Sequence, residues 1–172
     1  MAKPILELIS EEIVSRLGNI SVANGYEFTI VSAELVNRKT NTWQPEPLKI
    51  KVDYGDVSEN EELSYPGNPP RKAFDAVFEI SGYASDIDRD VDEVGMVNPS
   101  VTDTQMMSAM AKAITNNSAV DWHWFGTNVD GDPYAINAKI SSMETFDAPG
   151  LDGARIMLEV TYRTSEINQY SL

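Results

Sequence analysis

Few residues in this chain are equipped for catalysis. Its 172 residues include one histidine and no cysteine, which removes thiol nucleophiles, zinc ribbons and disulfide frameworks together. The histidine, His123, stands between Trp122 and Trp124 in SAVDWHWFGT. A lone imidazole has no second nitrogen or sulfur ligand with which to hold a metal. Asp121 is close by, but no serine motif completes a triad with it. No glycine-rich phosphate loop is present either. Enzymatic work needs a poised acid, base or nucleophile, so the chain reads as a non-enzyme with no catalytic, cofactor-binding or metal-binding residues.

Carboxylates are the one abundant reactive group. The run SDIDRDVDEVG carries Asp86, Asp88, Asp90, Asp92 and Glu93, offset only by Arg89. This spacing resembles the start of an EF-hand loop, but Val91 stands where the sixth position needs glycine, and Val97 where the twelfth needs a bidentate glutamate. A solvated acidic loop is the better reading. Large aromatics in probable loops form a second class of candidate: Trp43, Trp122 and Trp124 are placed as interface anchors, a role in which tryptophan is enriched.

The totals narrow the partners. Net charge is −14, from 27 acidic and 13 basic residues, and no basic stripe of the kind that neutralises phosphates is visible. The opening MAKPILELISEEIVSRLG is broken by Glu7, Ser10, Glu11 and Glu12, unlike a signal peptide's apolar core. No run approaches the roughly 18 apolar residues that cross a bilayer. The expectation is a soluble cytoplasmic product with no membrane partner, and at this length one domain spanning residues 1–172.

The elements that must position these residues follow from periodicity. Ile5, Leu6, Ile9, Ile13, Val14 and Leu17 recur at helical spacing, with Pro4 in the first turn and Gly18 placed to close the helix left-handed. Asn24-Gly25 marks a turn before the strand YEFTIVSAELV. LKIKVDY alternates cleanly as a strand, whereas the carboxylate-rich GDVSENEELSYPGNPP loses all period and reads as a long loop. RKAFDAVFEISGY puts Phe74, Ala76, Phe78 and Ile80 on one face, the mark of a central strand. A second helix, TDTQMMSAMAKAI, is capped by Ser100 or Thr102, buries Met106, Met107, Met110, Ala113 and Ile114, and stops at Asn116-Asn117. Asp130-Gly131 tips a tight turn. The strands YAINAKISSME and ARIMLEVTYRTS close the chain, joined by the loop DAPGLDG. Tyr134, Ile136, Ala138 and Ile140 point inward from the first of them.

These pieces predict an α+β fold: two helices packed on one face of a mainly antiparallel five-stranded sheet, in the order α-β-β-β-α-β-β. Long loops leave it at about 55–70, 84–99 and 116–133. Contact-making residues concentrate in such loops, which points to an assembly module. In that layout the sequence resembles the tail terminator and tail completion proteins of long-tailed bacteriophages, the group of the lambda minor tail protein U. The likeness is carried by ILELISEEIVSRL leading to NGYEFTIVSAELV, by LKIKVDYGD, by FDAVFEISGYA before TDTQMMSAMAKAI, and by ARIMLEVTYRT.

The resemblance implies a virion protein of the tail or neck, assembled in the host cytoplasm into a homo-oligomeric ring, usually a hexamer. Such a ring ends polymerisation of the tail tube protein and presents a surface to the head connector or stopper protein. DNA passes through it without specific binding, and an acidic lumen lowers sticking to phosphates. On this reading the loop Asp86 to Glu93 faces the lumen or a neighbour's basic residues. A head–tail joining or other neck or baseplate role is the alternative reading, and a small hydrolase or ligand-binding domain a remote one.

Overall fold

The computed structural model describes residues 3–36, 43–66, 71–85, 101–115, 125–128, 130–148 and 151–165. Helix α1 (Ile5–Gly18) is followed by a 3-10 turn (Val22–Asn24) and the short strand β1 (Ser32–Leu35). Strands β2 (Lys49–Tyr65) and β3 (Arg71–Tyr83) precede helix α2 (Asp103–Thr115), and β4 (Ala135–Ala148) and β5 (Leu151–Ser165) complete the chain. The class is α+β, with two helices and one five-stranded sheet in the order β1-β2-β3-β5-β4.

The sheet is mixed, not mainly antiparallel as the hairpin-like connections led one to expect. β1 lies parallel to β2, Ser32 opposite Lys49, while the other pairings are antiparallel. Parallel neighbours require the chain to travel back between strands. The expected order of elements is matched in part. Of YEFTIVSAELV only Ser32–Leu35 is strand; Phe28 and Ile30 are buried, but from an irregular segment.

Residues 55–65, expected as loop, continue β2 instead, giving a strand of 17 residues. The reason is tertiary: β3 offers a 13-residue template, and pairing with it overrides the weak strand tendency of a carboxylate-rich run. Irregularities between Tyr54 and Val57 and between Asn60 and Tyr65 absorb the mismatch. The expected loop at 84–99 is described only as far as Ser85, and much of 116–133 also lies outside the described residues. Between β4 and β5 the ladder runs through Asp147↔Asp152 to Ala148↔Leu151, so the hairpin is tighter than DAPGLDG implied.

Helix α1 buries Ile5, Ile9, Ile13 and Leu17, one per turn. Pro4 is the residue before the helix rather than its first turn, and Asn19, in an ordinary right-handed conformation, ends it. Gly18 stays helical, so it is not the left-handed cap expected of it. Helix α2 begins with a reciprocal cap: the Gln105 amide N–H donates to Thr102 Oγ1 at 3.2 Å, and the Thr102 N–H to Gln105 Oε1 at 3.0 Å, satisfying two donors a helix otherwise leaves open. It buries Met106, Ala109, Met110, Ala113 and Ile114.

Helix α2 lies over the inward rows of β3, β5 and β4, while α1 packs beside it, chiefly over β1 and β2. Ala76, Phe78 and Ile80 pair in register with Val160, Leu158 and Ile156, and all six are completely buried. Each large member contributes about 1.5–3 kcal/mol. On β4, register shifts near Ile136 and Ser141 move the inward positions to Ala135 and Ala138. Simple alternation from Tyr134 through Ile140 therefore does not hold, because each extra residue reverses the facing of those after it.

Two glycines separate tight packing from open space. A Cβ on Gly153 would stand 2.5 Å from the Phe146 ring and 2.9 Å from the Gly82 carbonyl, while one on Gly18 meets nothing within 4 Å. We expect Gly153→Ala to lower unfolding free energy by about 1–3 kcal/mol. Gly18→Ala should be neutral or stabilising by up to about 1 kcal/mol. Urea unfolding of both variants checks this ordering, and the reverse order would contradict it.

Candidate functional site

Three tiers of surface surround this core. The sheet face opposite the helices is the first. Trp43 is half-buried there, its ring 5.4 Å from Tyr83; Tyr83 meets Phe146 edge-on at 5.7 Å, and the Arg155 guanidinium lies 5.2 Å above Phe146. Arg155 also reaches Glu144 at 3.2 Å and Glu79 at 3.4 Å. Trp43 thus packs on its own domain, although its buried Nε1 has no hydrogen-bond acceptor. The outward row of β3 is similarly engaged sideways. Asp75 accepts from Thr161 Oγ1 at 2.6 Å and from Asn60 Nδ2 at 2.9 Å, and Lys139 pairs with Glu159 at 2.8 Å. Charged side chains here largely satisfy one another, so this face is polar and locally complete.

The second tier is a cleft of about 470 Å³ between the Gly25–Phe28 segment and α2. Its polar groups are likewise occupied with each other. Lys112 Nζ donates to the Gly25 carbonyl at 3.0 Å and sits 4.5 Å from the Tyr26 ring centroid, and Gln105 Nε2 donates to Glu27 at 3.0 Å. Among the described residues no group of three histidine, cysteine, aspartate or glutamate side chains could hold a metal ion. No helix among them is long and apolar enough to cross a membrane.

The sheet's long arms form the third tier. Beyond the reach of the helices, β2 exposes Tyr54, Val57, Leu63 and Tyr65, and β4 exposes Met143. Tyr54 and Val57 share the helix-covered face, opposite Phe78 and Ala76, while Tyr65 lies opposite Arg71 on the other face. Asp56, Glu59, Glu61 and Glu62 accompany them on β2, giving an arm of mixed apolar and acidic character.

Of the residues selected from sequence, Asp86, Asp88, Asp90, Asp92, Glu93, Trp122 and Trp124 lie outside the described residues, as does His123; only Trp43 is placed. The arm was missed because its carboxylates hide the pattern. The length of RKAFDAVFEISGY was the available signal, since a long central strand needs neighbours of similar length. No family model matches the chain, and no curated protein matches its sequence.

The aromatic network has a pH signature. Burial pushes the Tyr162 phenol above the usual tyrosine range, with Tyr54 nearby acting the same way. Burial likewise raises Tyr83, against a lowering by Arg155. A raised folded pKa means the folded state holds its proton longer than the unfolded chain. This contribution is therefore complete below about pH 10, the free tyrosine value, and is lost as pH rises through the folded pKa. Urea midpoints measured between neutral and strongly alkaline pH should fall above about pH 10, and Tyr162→Phe should make the fall shallower.

Proposed function

We propose that this protein is a structural subunit of a long phage tail, forming a ring at the head-proximal end of the tail tube. There it ends tube polymerisation and presents a surface to the head connector, within the virion. The observation that carries the reading is the pair of long hairpins leaving a small helix-covered core, with Tyr54, Val57, Leu63 and Tyr65 exposed along β2. A monomer gains nothing from exposing such side chains, whereas an assembly buries them against its next member.

Charge supports the same reading. At −14 the chain repels phosphates, which suits a passage for DNA better than a grip on it. The resemblance of the sequence to tail terminator proteins suggests the position in the tail, and the acidic stretch from Asp86 to Glu93 is the proposed lumen or subunit contact.

Size-exclusion chromatography with light scattering, followed by negative-stain imaging, tests the proposal. The expected result is a closed ring with a central hole and no retention of duplex DNA at physiological salt. A stable monomer at high concentration would overturn it.

A further inference from the structure

Besides the outer side of the short β1, first in the order, two strands have an edge with no pairing partner among the described residues. β1 covers β2 only from Lys49 to Val52, and β4 is the last strand in the order. Unpaired edges are templates for another chain. Their senses are compatible. β2 runs against β3, β3 against β5, and β5 against β4, so β4 of one copy beside β2 of the next continues an antiparallel alternation. A contact between two different edges is heterologous, and repeated by rotation it closes a ring.

Side-chain facing agrees with this. Tyr54 and Val57 stand opposite Phe78 and Ala76, and Met143 stands opposite Ile156, so all three belong to the helix-covered face. Yet they are 40%, 41% and 51% exposed. Joined edges would make them cross-strand neighbours, which interact within about 4.5–5.5 Å between Cβ atoms. With Val57 opposite Met143, the other face would bring Ser58 to Ser142, Asn60 to Lys139 and Asp53 beside Phe146, once the extra residues between Tyr54 and Val57 and between Ile140 and Ser142 are allowed for, a row without like-charge opposition.

We propose that the β2 edge around Val57 pairs antiparallel with the second half of β4 of another copy, joining the sheets head to tail. This rests on the ring reading and names the surfaces that would build the ring. Because the chain has no cysteine, engineered pairs report the contact cleanly. A disulfide requires Cα atoms roughly 4.4–6.8 Å apart, so two pairings of one antiparallel register are tested: Val57→Cys with Met143→Cys, and Tyr54→Cys with Thr145→Cys. After mild oxidation each single variant should stay uncrosslinked. A mixture of the two members of a pair should give a reducible dimer, and the doubly substituted chain a reducible ladder of oligomers ending at the ring. Rings that persist in micrographs without any crosslink would overturn the edge pairing and leave the ring reading standing. Dimers from Val57→Cys or Met143→Cys alone would overturn it in favour of a two-fold contact, and a monomer would overturn both.

Discussion

The structure depends on the pairing of β3 with β5. Their ladder is unbroken from Arg71↔Ser165 to Tyr83↔Gly153, and its inward row of Phe78, Ile80, Ile156, Leu158 and Val160 is completely buried. Helix α2 rests on that row, with α1 beside it over β1 and β2. Gly82, with Met106 and Met110 pressed against it, lets α2 approach where any side chain would hold it off. Residues of this kind are close-packed, so the frame is rigid at its centre.

From that centre the constraints weaken outward. β2 pairs regularly with β3 from Ile50 to Tyr54 and then shifts register between Tyr54 and Val57, whereas β4 shifts near Ile136 and again near Ser141. Bulges bend and twist the strands that carry them and are a usual means of managing an edge. Here they divide each outer strand into a portion serving the core and a portion left over. The surplus portions carry Val57, Leu63, Tyr65 and Met143, all exposed, whereas on the broad face between them Arg155 pairs with Glu79 and Glu144, and Asp75 accepts from Thr161. The proposed contact between copies draws on the former.

The acidic balance acts in a different way from the packing. A charge of −14 lowers nonspecific association between copies, so in the proposed ring the contacts between copies would come from local geometry and apolar surface. Ion pairs such as Lys139–Glu159 and Lys72–Glu59 are exposed, and such pairs contribute about 0–1 kcal/mol. They orient side chains more than they hold the fold.

Much of the frame was legible in the residues alone. The burial rows of α1, α2, β3 and β5 follow directly from spacing, because a helix or half-buried strand writes its period into the sequence. The same holds for the Thr102 cap and for the turn at Asp130-Gly131, where Gly131 has φ +88° and Asn128 Oδ1 accepts from the Asp130 and Asp132 amides. Tertiary structure alone decided that β1 lies parallel to β2, that GDVSENEELSY is strand, and that Trp43 folds back onto Tyr83. Each depends on a neighbour distant in sequence: a strand from further along the chain, a long template strand, an aromatic on another strand. Gly18 stays helical for a local reason, because the Asn19 and Ile20 amides donate to the Arg16 and Leu17 carbonyls. Candidate catalytic chemistry was thin from the start, with one histidine and no cysteine. What the fold added was where apolar surface remains uncovered, because exposure is a property of packed elements and no local pattern records it.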